Sequence, residues 1–295
     1  MTTMFRVCLT FLFACCALHT HAQGYTEILQ FSVDYLPLNT AGEKSDGTRL
    51  ALNALLPVAV DRKKDAWLLA GLSAESIHFS GATVPGAARF FGLTPVVGYS
   101  GKISGKCKLS VLLMPFLNSD LKRDEGGQMH FAGMARWAVK ESETFTWRIT
   151  TGYRQQFFGP QYVLLAGMDW KAGERLQLFG DLPQNFTVAY QTGKKLDLGL
   201  TYLANLLSYN ISGEGRYMRY NYANASLFAE LFLTGNLVLR GEAGYAFTRK
   251  FEVYDDKDKP DATLIFFRIG DKPVPLNDPY DKGAIFRLLM AYRVY

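Results

Sequence analysis

Cysteine is scarce in this chain: there are four, and Cys8, Cys15 and Cys16 all fall within the first sixteen residues. Beyond that stretch Cys107 stands alone, so once the leading residues are removed no intramolecular disulfide can form and a disulfide-stapled secreted fold is excluded. Histidine is as rare, with four in 295 residues. No His cluster with metal-ligand spacing, no cysteine pair and no Gly-rich phosphate loop is present. Long apolar runs are missing as well. After Ala22 one of the longest is Leu50 to Val60, broken by Asn53 and Pro57, whereas a spanning helix needs about twenty apolar residues. The excess of base over acid is small, 32 Lys and Arg against 27 Asp and Glu. A net charge of +5 gives no argument for a nucleic-acid partner.

What the chain does have begins with an export signal. Arg6 and the amino terminus form a positive n-region, Val7 to Leu18 an apolar h-region, and Thr20-His21-Ala22 a small-residue cleavage site. Residues 1–22 therefore read as a secretory signal peptide and 23–295 as the mature domain. A lipobox at Leu12-Phe13-Ala14-Cys15 is the poorer fit, because Phe13 is too bulky. The mature part is rich in aromatics and glycine, with 21 Phe, 16 Tyr, 4 Trp and 27 Gly in the whole chain. An exported, aromatic-rich chain with no spanning helix fits a membrane β-barrel.

The final stretch, Gly283 to Tyr295, organises the rest. Phe286, Leu288, Met290, Tyr292 and Val294 fall on one face, with Arg287 and Arg293 on the other, a period of two that marks a strand. A strand that ends the chain leaves an open edge unless an earlier strand pairs with it, and closure into a barrel is the sheet solution without edges. Reading from the front, thirteen further segments qualify. They are Ile28–Leu36, Gly47–Val60, Ala66–Phe79, Phe90–Tyr99, Lys106–Leu117, Met129–Val139, Phe145–Gln156, Tyr162–Trp170, Leu176–Leu182, Phe186–Gln191, Leu196–Ala204, Leu227–Leu233 and Leu237–Arg249. Phe145–Gln156 alternates most cleanly.

The connections alternate too. All the long ones, notably Asn205 to Asn224 and Lys250 to Lys282, follow odd-numbered segments, and those after even-numbered segments stay at a few residues. Outer-membrane barrels combine long extracellular loops with short periplasmic turns and an even strand count. The sequence thus predicts an all-β, closed, antiparallel transmembrane β-barrel of fourteen strands with up-and-down topology and both mature termini in the periplasm. Twelve strands is the alternative, because the hairpin around Pro183 is short. Trp67, Trp137, Trp147 and Trp170 then all fall at the periplasmic rim, where an aromatic girdle is expected, since an indole is apolar yet its N–H seeks water.

With its terminal aromatic Tyr295 and the stretch Leu176-Gln177-Leu178, Leu182-Pro183, Val188-Ala189-Tyr190 and Leu196 to Gly199, the chain resembles Gram-negative single-chain outer-membrane barrels. It is most similar to the uncharacterised families of such barrels known as domains of unknown function. The resemblance implies outer-membrane lipid and the barrel-assembly machinery as partners, with Tyr295 as the C-terminal assembly signal. Arg293 departs from that pattern, since an apolar residue usually lies two before the terminal aromatic.

Parity places Arg136, Arg148, Arg154, Arg240, Arg287 and Arg293 inward, against Asp34, Asp169, Asp197, Glu230 and Glu242. Charges inside hydrocarbon must be paired or wetted, so these belong to the lumen. Barrels of eight strands fill with side chains and those of sixteen or more leave a channel, so fourteen falls between. The leading expectation is passive, weakly selective passage of small polar solutes. The alternative is a structural or surface-binding barrel with a filled lumen that acts through its extracellular loops. A lipid-modifying enzyme would need His78 or His130 as a base, and nothing in the sequence specifies the group that would orient one. The Asp255 to Asp261 cluster reads as a solvated loop because Lys257 and Lys259 are interleaved with it. No catalytic residue, cofactor or metal is assigned.

Overall fold

Each segment with a period-two pattern is a strand in the computed structural model, which describes residues 26–40, 43–61, 65–80, 84–85, 87–122, 129–278 and 282–294. The signal-peptide reading of residues 1–22 and the assembly-signal reading of Tyr295 lie outside the described residues. The strands are β1 (Thr26–Thr40), β2 (Glu43–Asp61), β3 (Ala66–Ser80), β4 (Arg89–Lys102), β5 (Cys107–Ser119), β6 (His130–Lys140), β7 (Phe145–Gln156) and β8 (Gly159–Lys171). They continue with β9 (Leu176–Leu182), β10 (Asn185–Gln191), β11 (Leu196–Ile211), β12 (Arg216–Phe232), β13 (Leu237–Asp255), the three-residue β14 (Ala262–Leu264) and β15 (Phe267–Ile269), and β16 (Gly283–Val294). Among the described residues there is no helix.

Each strand pairs antiparallel with the next from β1 to β13, β13 pairs with β16, and β16 closes the ring on β1. The closing seam runs from Thr26↔Val294 to Tyr35↔Phe286 and places Asp34 opposite Arg287. Fourteen strands make the ring, with β14 and β15 outside it. The short pair β9 and β10 belongs to it, since both are bonded on either side. The six connections that follow even-numbered strands from β2 to β12 are four residues each. They define a short-turn end. The other end carries residues 120–129 and 256–282 as its longest connections.

Alternation sorts the two faces. Leu29, Phe31, Leu52, Leu68, Val97 and Val111 point outward and are exposed, as do Leu113, Ile149, Leu164, Leu200, Leu227 and Leu288 on strands around the ring. A continuous belt of exposed apolar side chains on a closed sheet is what hydrocarbon requires of a barrel exterior.

Most of the ring's strands are longer than a membrane needs, and the neighbours β11, β12 and β13 overrun it together. β11, β12 and β13 have 16, 17 and 19 residues, against about 9–11 for a tilted transmembrane strand. Their surplus does not stand out as a loop. A bulge on β13 inserts Phe247, so that Asn224 pairs with Ala246 and Ala223 with Thr248. A bulge bends its strand and re-aims the side chains beyond it. Before it the even residues Glu242, Gly244 and Ala246 share the inward face; after it Arg249, Phe251 and Val253 take that face and are fully buried. Residues 205–224, expected as a long connection, are therefore mostly the upper parts of β11 and β12, joined by a tight turn at 212–215. The expected loop 250–282 likewise begins as β13 and contains the β14–β15 hairpin.

Candidate functional site

The bent tips of β11, β12 and β13 form a small three-stranded cap that lies across the lumen at the long-loop end. On its lower face Leu207, Tyr209, Ile211, Met218, Tyr220 and Phe251 pack into a core with residues projecting inward from the opposite strands, Leu36, Leu38, Ile77, Phe79 and Phe90. Rings interlock there: Phe79 stands edge-on to Phe251 at 4.7 Å between centroids, and Tyr220 stacks on Phe251 at 4.5 Å. On its upper face Leu206, Tyr217 and Tyr254 pack under Phe157 and Phe158 of the β7–β8 turn. Both faces of the cap are buried, so the sequence here carries apolar residues at odd and even positions alike.

The cap reaches the far wall. β11 and β5 are six strands apart one way round the ring and eight the other, yet Asn210 of β11 pairs in parallel with Ser119 of β5. Asp120 N–H donates to the Asn210 carbonyl at 3.2 Å. The Asn118 side chain donates to the Ser208 carbonyl at 3.0 Å, and Ser212 donates its hydroxyl to Asp120 at 2.6 Å. Tyr209 donates to Glu75 Oε1 of β3 at 2.6 Å. At the seam, the buried Arg249 guanidinium donates to the backbone carbonyls of Ala284 and Pro37 at 2.8 and 2.5 Å, fixing the root of the cap to β16 and β1.

Below the cap the lumen is charged. In register Asp34 and Glu242 both lie opposite Arg287, Asp197 lies opposite Glu230, and Glu230 lies opposite Arg240, with these four acids buried. Most of the charged candidates belong to two ion-pair networks. The larger alternates in sign from Glu27 through Arg293 (2.8 Å), Glu230 (2.5 Å), Arg240 (3.5 Å) and Glu242 (3.7 Å) to Arg287 (3.3 Å). It continues to Asp34 (2.6 Å), Arg49 (3.2 Å) and Glu75 (2.7 Å), where the cap's Tyr209 joins it. The smaller network holds Asp181 between Arg136 and Arg148, both at 3.1 Å, and Asp169 against Arg148 at 3.2 Å. Asp197 is buried opposite Glu230 in the β11–β12 register.

Arg154 differs from its neighbours. It faces inward from β7 with its guanidinium 5.8 Å from the Phe116 ring and within electrostatic reach of Glu75, Tyr209 and Tyr222.

Arg49, Glu75, Asp181 and Glu27 were not among the residues expected in the lumen. Arg49 sits just before Leu50 to Val60, a run that is apolar on both faces apart from Asn53, which hides its parity, and Asp181 lies near the end of the short β9. The inward placement of Asp34 could have flagged Arg49, its direct partner in register.

Two further placements correct or locate sequence expectations. Trp137, Trp147 and Trp170 are exposed on the outward face at the short-turn end. Trp67 is not part of that girdle: its register partner is the inward-facing Ser100, and its indole N–H donates to Asp65 at 2.6 Å inside the rim. Burial works against ionisation of Asp65, but the Trp67 N–H and the ammonium groups of Lys108 and Lys102 outweigh it and hold the carboxyl below its ordinary value. His78 is exposed on the outward face, and His130 is buried inside between the rings of Phe116 and Phe157.

The short-turn half of the lumen is partly open to solvent. Asn53 is exposed on the inward face of β2, and the Arg136 side chain is 37% exposed, whereas Leu38, Ile77 and Phe90 beneath the cap are at 0%. The lumen is thus sealed by apolar packing beneath the cap and partly solvent-exposed toward the short turns.

A sheet that closes on itself, apolar outside and charged inside, is a β-barrel of the outer-membrane type. The chain belongs to the family described as a domain of unknown function, DUF6268, whose model matches residues 90–260. A comparison with curated proteins finds no match by sequence. Among solved structures it is similar to the COG4313 outer membrane channel from Pseudomonas putida F1, at 10% identity and a TM-score of 0.47, covering 95% of this chain and 97% of that one. It is also similar to Pseudomonas putida OprB, at 10% identity and a TM-score of 0.44, over 99% and 98% of the two chains. A third is the Pseudomonas putida toluene transporter TodX, at 10% identity and a TM-score of 0.41, over 92% and 90%.

Proposed function

We propose that this barrel sits in the outer membrane with its long-loop end outside and its short turns in the periplasm, and that it passes small polar solutes only when its cap moves. Long connections gather at the end assigned to the cell surface, as in other outer-membrane barrels. The observation that carries the reading is the Asn210–Ser119 backbone pairing across the lumen, because it shuts a wall otherwise wide enough for water and lined with charge. Mixed ion pairs below the cap favour weak selectivity, as fixed charges of both signs attract and exclude little. No step in this reading requires a catalytic group, and the role is that of a passive barrel. Assembly machinery would recognise the last strand, which also completes the β16–β1 seam.

Planar-bilayer recording of the purified protein tests this. A resting state with rare, brief conductance steps is expected. Large steps open most of the time would contradict closure by the cap.

The second reading, a barrel that stays shut and works through its outer surface, draws on Val274 and Leu276, which stand exposed on the long connection. Exchange of residues 270–278 for a Gly-Ser segment would then abolish the surface role while leaving any conductance as it was.

A further inference from the structure

The barrel wall has a step in it. β9 and β10 have seven residues each, which at about 3.3 Å per residue and a tilt of about 40° rise roughly 18 Å, short of an apolar belt about 25 Å tall. Pro183 carries no N–H for a ladder, and the hairpin turns over through Gln184 N–H to the Asp181 carbonyl at 2.9 Å. Above it β8 is bonded to β9 only from Ala166 to Lys171, and β11 to β10 only up to Leu203. The upper part of β8 is thus a wall strand with no β9 beside it, while β11 beyond Leu203 turns in as the cap and meets the β7–β8 turn, where the Phe157 N–H donates to Ser208 Oγ at 2.9 Å; this leaves a gap in the wall between β8 and the root of the cap.

The β14–β15 hairpin covers part of that gap. It is bonded to β8 through Thr263↔Gln161 and Leu264↔Tyr162, and Gln161 donates to the Ile265 carbonyl at 2.8 Å. Nothing pairs β15 with β11 among the described residues. The outward rim is apolar, with Tyr162, Leu182, Leu264 and Phe267 all exposed. Behind it lies a shallow cleft, open to solvent, lined by Arg154, Val163, Leu165, Gln184, Ile265 and Phe266. As it stands the cleft has room for little more than a water, so a larger guest requires the hairpin to lift.

Arg154 supplies the chemistry. Its guanidinium makes no hydrogen bond or ion pair among the described residues, and the carboxylate it senses, Glu75, is already held by Arg49 and Tyr209. A half-buried cation whose nearest carboxylate is shared with two other donors is under-compensated, and an arriving acid would relieve that. We propose that the gap between β8 and the root of the cap is a side portal for a single-chain amphiphile with an acidic head. The chain enters from the membrane over the β9–β10 turn, the β14–β15 hairpin swings off β11's side, and Arg154 receives the head. The hairpin also leans on the cap, where Arg268 donates to Glu252 and Tyr254 at 3.2 and 2.9 Å and Phe266 packs beside Leu206, so the portal is tested by binding and not by conductance.

The test uses the full barrel in zwitterionic nanodiscs, with Cys107→Ser and a bimane fluorophore on Gln184→Cys, and 16-doxyl-stearate as the quenching guest. Its uncharged methyl ester is the comparison, and a label on Leu227→Cys, lipid-facing elsewhere on the ring, reports partition alone. At position 184 the acid is expected to saturate at a concentration about tenfold below the ester, the worth of one charge-assisted hydrogen bond. Arg154→Gln should erase that preference and Arg154→Lys should keep most of it, both with the unboiled gel mobility of the parent. Equal quenching by acid and ester at 184, a preference that survives Arg154→Gln, or the same saturation at 184 and 227 would overturn the proposal.

Discussion

Removing residues 206–221 and joining Asn205 to Tyr222 through Asn-Gly is expected to turn a nearly silent barrel into one with steady conductance steps. Asn205 and Tyr222 are paired in the β11–β12 ladder, so a two-residue turn of a type suited to hairpins restores the connection. The deletion takes out Leu207, Tyr209, Ile211, Met218 and Tyr220, much of the core that fills the mouth. It also removes every contact that ties β11 to β5 and β3. The ring of fourteen strands stays intact below, and heat-dependent gel mobility would confirm that it folds. If that variant folds and remains silent, side chains below the cap block the lumen by themselves, and the reading of a permanently filled barrel takes over.

The second large effect is on stability. Arg287→Ala is expected to lower unfolding free energy by about 3–5 kcal/mol, the usual result of stripping one partner from buried charges. Arg287 lies between Asp34 and Glu242, and all three side chains are under 10% exposed. Without the guanidinium, two carboxylates face each other's neighbourhood with Arg49 and Arg240 left to share. The loss falls on the β16–β1 seam, where the ring closes. Urea titration in detergent micelles would show it as a fall in midpoint. Arg287→Lys keeps the charge without the two-pronged geometry and should lie between parent and Ala. A midpoint unchanged in Arg287→Ala would mean that lumen water solvates these carboxylates well enough to make the network dispensable.

How much of this was legible beforehand follows from what a period of two can encode. Alternation depends on one face meeting lipid and the other meeting polar lumen, so it located the fourteen strands and the β1–β16 pairing. It says nothing where both faces meet protein. Leu206-Leu207 and the tyrosines at 209, 217, 220 and 222 break the pattern because the cap is buried above and below. That stretch therefore reads as a connection. The bulge at Phe247 is invisible for a related reason, since one extra residue swaps the faces without changing composition. Trp67 was misplaced because position along a strand fixes depth but not side. Its partner Asp65, two residues earlier, is the local hint that the indole turns inward. The portal was half visible: the hairpin around Pro183 is evidently short in sequence, but a short hairpin reads as a doubtful strand pair until the flanking strands are seen to continue past it.

Whether the tip of β11 rests on the opposite wall in a living membrane can be read directly. Residues 119 and 210 are partners in a parallel bridge, and such neighbours sit near the Cα separation of about 4.4–6.8 Å that a disulfide needs. In a Cys107→Ser background, Ser119→Cys with Asn210→Cys should form a disulfide nearly completely in intact cells, whereas Ser119→Cys with Ser226→Cys should form none. Two free thiols at 119 and 210, both labelled by a small maleimide added from outside, would show an uncapped mouth and contradict closure by the cap.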